Sequence, residues 1–332
     1  MRAPGFWWRK PGLGSALLSP IAAVYGAVAA HRLTRPGARA GVPVICVGNP
    51  TVGGAGKTPT AIAIARLLAA AGERPALLTR GYGGRLAGPV TVDPDKHGAS
   101  EVGDEPLLLA RAAPTIVARD RVAGAALARA AGASVIIMDD GFQNPALEKD
   151  FSILVVDGRR GIGNACVIPA GPLRAPLEAQ LDRAQALLIV GEVTGAAPLV
   201  IAARSRALPL FRATLQPDPT AVADLVGRRV LAFAGIGDPE KFFATLGAAG
   251  IEAPVRRAFP DHHRPRAREA AALLGEAARG ELLPLTTEKD LARMQGDGAL
   301  AQLRAAARAL PVALEVTEAE EFSRLVLGAV RR

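Results

Sequence analysis

The segment spanning residues 43–68, PVICVGNPTVGGAGKTPTAIAIARLL, restricts the possible folds more than any other stretch of the chain. A β-branched run containing Val44, Ile45 and Val47 leads into a glycine-rich turn. The turn ends in Gly56-Lys57-Thr58, and an alanine- and isoleucine-rich helical sequence follows. Strand, phosphate-cradling loop and helix in that order form the nucleotide-binding unit of an α/β protein. The loop is predicted to comprise Thr51, Val52, Gly53, Gly54, Ala55, Gly56, Lys57 and Thr58. Glycine amides can approach a phosphate because no Cβ intervenes, and the helix N-terminus adds partial positive charge. Lys57 is expected to reach the β- and γ-phosphates, with the Thr58 hydroxyl on Mg²⁺, so ATP and Mg²⁺ are the expected cofactors. Thr51 stands where the general motif has glycine. Pro59 is compatible with a first helical turn, whose N–H groups lack partners anyway.

A phosphate loop needs an acidic partner, and Ser134-Val-Ile-Ile-Met-Asp139-Asp140 supplies one at the tip of a predicted strand. Either aspartate suits the metal. The run Phe151–Asp157 repeats the form, and residues 186–190 read as a further core strand. The predicted architecture is an α/β/α core lobe of the phosphate-loop NTPase type, with a smaller second α/β/α lobe and an N-terminal membrane-associated helix.

Length and charge narrow the partners. A chain of 332 residues exceeds one comfortable core, and its 50% hydrophobic content excludes disorder. The net charge of +9 calls for an anionic partner. Nucleic acid fits poorly, because aromatics make up only 4% and no zinc-ligand or helix-turn-helix pattern occurs. No obligate protein partner is evident. Cys46 and Cys166 have no metal-ligand spacing and read as buried thiols.

Residues 1–38 stand apart as a predicted membrane-associated segment. Phe6, Trp7 and Trp8 adjoin Arg9 and Lys10, residues 13–30 carry no charge, and His31, Arg32 and Arg35 follow. An interfacial anchor with tryptophans at headgroup depth, a membrane span interrupted by Pro20, and a plain buried helix all satisfy this pattern. A cleaved signal peptide also has the right charge order, but would export a nucleotide-binding loop.

The core lobe is expected over residues 39–205, linker strands over 206–228 and the second lobe over 229–332. After the second strand come Arg80, Tyr82 and Arg85 in a glycine-rich turn, where a substrate anion or sugar would sit if the turn is more than solvated surface. Asp104 and Glu105 open a helix and suit either an N-terminal dipole partner or a site. Gly235 and Gly237 suggest a dinucleotide turn, but Glu240 occupies the third glycine position. An alanine-rich helix is expected through Arg308.

Seven strings in this order resemble the tetraacyldisaccharide 4′-kinase family of lipid A synthesis: Thr51-Val-Gly-Gly-Ala-Gly-Lys-Thr-Pro59, Arg80-Gly-Tyr-Gly-Gly84, Gly103-Asp-Glu-Pro106, Met138-Asp-Asp-Gly-Phe-Gln143, Pro169-Ala-Gly-Pro-Leu-Arg174, Phe259-Pro-Asp-His262 and Thr287-Glu-Lys-Asp290. The threonine-led loop is that family's own form. The resemblance implies transfer of the ATP γ-phosphoryl to the 4′-hydroxyl of an acylated glucosamine disaccharide 1-phosphate, at the cytoplasmic face of the inner membrane. It assigns Asp104 as the base, His262 rather than His263 as its assistant, Lys57 as a catalytic cation and Glu105 as a further metal-side carboxylate. The lipid disaccharide and an anionic membrane surface become the expected partners, with Arg80 and Tyr82 facing the lipid. A phosphate-loop switch of another class, timing a membrane partner by hydrolysis, stays open. GTP suits it poorly, because Glu288 replaces the asparagine that would read guanine.

Overall fold

The computed structural model of the protein describes residues 4–331; Met1–Ala3 of the expected N-terminal segment and Arg332 of the expected second lobe lie outside them. Eight strands follow one another through the first part of the chain: β1 (Val44–Gly48), β2 (Pro75–Thr79), β3 (Val90–Thr91), β4 (Thr115–Val117), β5 (Val135–Asp139), β6 (Phe151–Asp157), β7 (Ala186–Val190) and β8 (Leu210–Pro217). Then β9 (Arg229–Ala234), β10 (Glu252–Ala258), β11 (Leu283–Thr287) and β12 (Arg308–Leu310) build a second sheet, and β13 (Val312–Val316) closes the series. The large sheet has nine strands in the order β13-β8-β7-β6-β1-β5-β2-β4-β3; the small one runs β10-β9-β11-β12.

The central strands of the large sheet are parallel, and only its two edge strands, β3 and β13, run antiparallel to their neighbours. Both faces of a parallel sheet are covered, so its strands are apolar throughout rather than alternating. β1 illustrates this. Val44 and Cys46 join a core on one face with Ala125, Ala128 and Leu199, while Ile45 and Val47 join another with Ile64, Leu68 and Phe322. The helix Lys57–Ala70 and the last helix, Ala319–Val330, cover that second face. The small sheet is layered likewise, with Phe242, Phe243 and Leu246 on one side and Leu273, Ala277 and Leu303 on the other.

The lobe boundary differs from the expected 229–332. The helix Pro219–Leu225 already packs in the core of the second lobe, and β13 returns to pair antiparallel with β8, Val312 opposite Pro217. The second lobe is therefore an insertion of about residues 219–310, and the chain re-enters the first sheet beside its exit, with Asp218 N–H donating to Pro311 C=O at 2.9 Å. Local pattern hid this, because an antiparallel edge strand reads the same in either sheet. The segment before Arg308 also differs: the expected continuous helix breaks into Glu288–Arg293 and Ala301–Ala306 around Gly296 and Gly298.

The N-terminal helix Leu13–Thr34 is not a buried core helix. Only Ser15, Ala22 and Gly26 are buried, on a stripe of small residues, and a Cβ on Gly26 would lie 3.5 Å from Pro176. Leu13, Leu17, Ile21, Val24 and Val28 point outward. The paired tryptophans do not form the expected free headgroup anchor. Trp7 is buried and donates from Nε1 to Pro169 C=O at 3.0 Å, and Arg160 lies over the ring of Trp8 at 5.2 Å. Cys46 is buried, which pushes its thiol up to about 12, whereas Cys166 is only half-buried.

Candidate active site

Register in the large sheet assembles the nucleotide end. β1 and β5 are parallel neighbours, with Val47 opposite Asp139, so the loop leaving β1 passes the acidic tip of β5. The Thr58 hydroxyl donates to Asp139 Oδ2 at 3.2 Å, and Lys57 Nζ lies 3.8 Å from Asp140 Oδ1. The loop glycines are shaped for a ligand. Gly53 and Gly56 hold φ of +111° and +94°, which side chains rarely adopt, and nothing lies within 4 Å of a Cβ built on Gly53 or Gly54.

Thr51 departs from the general motif for a visible reason. It is buried and forms an isolated antiparallel bridge with Leu173, while Val52 N–H donates to Pro172 C=O at 2.9 Å. This stretch is pinned extended against the loop containing Pro169–Arg174, so its first position needs no glycine. Arg174 completes the seam. Its guanidinium donates to Thr51 C=O at 3.1 Å and to both oxygens of Asp140, at 2.6 and 3.3 Å. Asp140 itself sits at φ +56°.

The two aspartates are thereby distinguished. Burial pushes Asp140 up, but Lys57 and Arg174 outweigh it and hold the carboxyl below its ordinary range. Asp139 is pushed up to about 7 by burial and the nearby charge of Glu105, against the pull of Lys57 and Thr58. Its Oδ1 is buried and has no hydrogen-bond partner. An orphaned buried carboxylate oxygen beside a threonine hydroxyl and an open phosphate cradle fits a hard divalent cation. Among the described residues no group of three His, Cys, Asp or Glu side chains converges as a self-sufficient metal site.

Asp104 lies where the second lobe meets the first. It is 5% exposed, and its Oδ1 accepts from the Glu105 N–H at 3.0 Å. Arg293 donates to Oδ2 through Nε at 3.0 Å and Nη2 at 2.6 Å. His262, at φ +58°, brings Nδ1 to 3.7 Å from the same oxygen, slightly beyond hydrogen-bond length. Burial opposes ionisation here, yet His262, Lys289 and Arg293 together hold the carboxyl well below its usual range. His263 faces away from this group: its ring stacks on Phe259 and its Nε2 lies 3.0 Å from Glu269.

Other predicted site residues are placed less uniformly. Tyr82 is 60% exposed and meets the His262 ring edge-on at 5.2 Å. Arg80 is exposed at the end of β2. Arg85 is engaged elsewhere, donating to Glu101 at 2.6 Å on the surface. Glu105, expected on the metal side, accepts from Lys289 Nζ at 2.8 Å, and Asp140 is taken by Arg174. Of the four expected metal ligands, Asp140 and Glu105 pair with Arg174 and Lys289, while the Thr58 hydroxyl bonds Asp139, whose Oδ1 is buried without a partner. Above the loop, a Cβ on Gly237 would lie 3.7 Å from Gly54 N and 3.4 Å from Asp261 Oδ2. The second lobe therefore covers the phosphate loop. The glycine turn after β9 is not a dinucleotide turn; Gly235 N–H donates to both oxygens of Asp290, each at 3.1 Å.

A family model described as tetraacyldisaccharide-1-P 4′-kinase, LpxK, matches residues 14–331. The chain belongs to that family. Curated tetraacyldisaccharide 4′-kinases bear this out across its length. One from Rhodopseudomonas palustris (strain BisB18) is 56% identical over 98% of this chain and 95% of its own. Another, from Methylobacterium sp. (strain 4-46), is 60% identical over 91% and 92%. The crystal structure of LpxK from Aquifex aeolicus in complex with ATP superposes with a TM-score of 0.72 at 27% identity, covering 95% of this chain and 99% of that one. The chain is thus a lipid A kinase of the tetraacyldisaccharide 4′-kinase type, with the ATP-binding core expected from its phosphate loop.

Arg174, Lys289 and Arg293 carry much of this site's charge, and sequence reasoning gave none of them a role. Lys289 lies in the string Thr287-Glu-Lys-Asp290 that carries the resemblance, whereas Arg293 is marked only by the charge alternation that precedes it at a helix start.

Proposed function

We propose that the protein transfers the γ-phosphoryl group of ATP to the 4′-hydroxyl of a tetraacyldisaccharide 1-phosphate, giving the 1,4′-bisphosphate at the cytoplasmic face of the inner membrane. The observation that carries this reading is the buried, ionised Asp104 beside His262, set in the same cleft as a phosphate loop that the second lobe covers. A hydrolysing switch needs only to orient water. A hydroxyl acceptor calls for a fixed carboxylate to take its proton.

In this reading the loop amides and Lys57 hold the triphosphate, and Thr58 and Asp139 hold Mg²⁺. Mg²⁺, when bound there, would supply positive charge against the phosphates. The sugar oxygen bonds to Pγ as the bond from Pγ to the β-bridging oxygen breaks. The hydroxyl proton passes to Asp104, and ADP leaves. Phosphoryl transfer is largely dissociative, so the proton departs late and a weakly basic carboxylate suffices. His262, with Nδ1 3.7 Å from Asp104 Oδ2, is placed to share that proton. Tyr82 and Arg80 flank the entrance for the sugar.

The outward stripe Leu13, Leu17, Ile21, Val24 and Val28 supplies a face for one bilayer leaflet. At its C-terminal end His31, Arg32 and Arg35 line an open hollow of about 660 Å³ with Ala27, Val28 and Pro145, suited to anionic headgroups. The decisive experiment follows labelled γ-phosphate from Mg-ATP into the acylated disaccharide 1-phosphate in micelles. Label in the lipid, strongly reduced by Lys57→Ala and Asp104→Asn, supports the reading. Label released only as free phosphate, with the lipid untouched, overturns it in favour of an ATPase.

A further inference from the structure

The second lobe hydrogen-bonds Asp104 through the Arg293 side chain. Arg293 ends the helix Glu288–Arg293, is 5% exposed, and divides its guanidinium between the lobes. Nε and Nη2 serve Asp104 of the first lobe. Nη1 serves the second, donating to Asp290 Oδ1 at 2.6 Å and to the carbonyls of Gly235 and His263 at 3.0 and 3.1 Å. Those carbonyls belong to the turns that also carry Gly237, Asp261 and His262. Asp290 is itself held by Gly235 N–H and by the Thr287 hydroxyl at 2.7 Å. The guanidinium is therefore oriented by second-lobe groups on one side and presents its remaining edge to Asp104.

A buried ion pair is weak support for stability, because desolvation offsets most of the attraction. Apolar packing already joins this helix to the first lobe: Ala292 shares a core with Val102 of the helix Ala99–Val102 and with Leu107 of the helix Asp104–Leu109. The guanidinium adds direction: both of its donors converge on Asp104 Oδ2 while the Glu105 N–H holds Oδ1, so Arg293 fixes where that one carboxylate oxygen sits. No other side chain in the second lobe makes a hydrogen bond to Asp104 among the described residues; His262 stops at 3.7 Å, and Lys289 turns to Glu105.

We propose that Arg293 is a positioning residue for phosphoryl transfer. It suspends the Asp104 carboxylate from the second lobe, so that the position of that lobe sets the angle at which the base meets the acceptor hydroxyl. The proposal rests on the reading of Asp104 as the base.

The test is steady-state kinetics of the full chain carrying Arg293→Gln, Arg293→Lys or the pair Arg293→Gln with Asp290→Asn, each made with Asp104 and with Asp104→Asn. Arg293→Gln is expected to lower kcat about 10²-fold, the scale of a 1 Å misplacement at a reacting centre. The affinity for a fluorescent ATP analogue, bound by the other lobe, should stay within about a factor of two. Arg293→Lys should recover part of the lost kcat. The Arg293→Gln, Asp290→Asn pair removes one of the two buried carboxylates that the loss of Arg293 strands, and should recover part of the melting temperature without restoring kcat. With Asp104→Asn in place, Arg293→Gln should cost nothing further, because one residue acts through the other. Multiplying losses in that background, or wild-type kcat in the Arg293→Gln, Asp290→Asn enzyme, overturns the proposal alone. Full kcat in Asp104→Asn by itself overturns the base assignment, and the proposal with it.

Discussion

The Thr58 hydroxyl and the Asp139 carboxylate meet at 3.2 Å, joining the start of the phosphate-loop helix to the tip of the neighbouring strand, and leave Asp139 Oδ1 buried without a partner. With the carboxyl pushed up to about 7 by burial and by Glu105, the proton must leave before a cation binds. Below about pH 7 the group is protonated, so Mg²⁺-dependent nucleotide affinity should rise as pH increases from about 6 to about 8. Calorimetry at several pH values, in buffers of different ionisation enthalpy, measures the released proton. Asp139→Asn should bind more weakly with a flatter pH profile; an equally steep profile would remove Asp139 from the site.

Two loop glycines should separate ligand space from backbone strain. Gly54 has open space around its absent Cβ, so Gly54→Ala is expected to leave the melting temperature unchanged while weakening ATP binding. Gly56 lies at φ +94°, with a built Cβ 3.3 Å from Val190 Cγ2. Gly56→Ala should cost about 1–2 kcal/mol of stability as well as affinity. Calorimetric melts with and without Mg-ATP compare the two, and equal destabilisation by both would contradict the assignment.

Acid should loosen the contact between the lobes at Asp157. Its carboxylate accepts from Lys241 of the second lobe and from the N–H groups of Arg159 and Arg160, at 2.9 and 3.1 Å. Burial pushes the carboxyl up, but these partners prevail and its pKa lies below the ordinary value. The unfolded chain therefore takes up the proton first as pH falls. The contribution is complete above about pH 4 and is lost on descent through the folded-state pKa. Denaturant melts between about pH 6 and 3 should show a steeper decline for the wild type than for Asp157→Asn. Matching slopes would mean the pair carries no linkage.

The exposed stripe of the N-terminal helix gives a cleaner membrane test than truncation. Removing the segment would also strip Trp7 from Pro169 and uncover the surface beneath Gly26. Leu17 is 80% and Ile21 59% exposed, so Leu17→Glu with Ile21→Glu should change stability by only about 0.5 kcal/mol. Flotation with vesicles containing anionic lipid should show loss of binding, and kcat/KM for the lipid acceptor should fall while nucleotide affinity holds. Undiminished flotation would place the membrane face elsewhere.

The nucleotide half of the site was legible because its chemistry is local. The strand, the glycine turn, Lys57 and Thr58 are contiguous, and Asp139 announces itself at the end of an apolar run. The second-lobe half was legible in its motifs and not in its connections. Arg293 lies 189 residues from Asp104, and nothing in the periodicity of either helix says that they touch. The same distance effect hid the pairing of β13, whose partner β8 lies across the whole inserted lobe. Trp7 was misread for a different reason: an aromatic beside cations looks alike at a lipid surface and against a carbonyl such as that of Pro169.

The adjacent strands at the root of the inserted lobe have a mechanical consequence. Because β8 leaves the large sheet and β13 re-enters it hydrogen-bonded alongside, the lobe is mounted on two adjacent antiparallel strands rather than on a single thread. Such a mount resists twist and sliding and bends about one axis, so an opening movement would follow an arc. The same arc that lifts Gly237 from the phosphate loop would draw Arg293 away from Asp104, making nucleotide access and disassembly of the catalytic grip a single stroke.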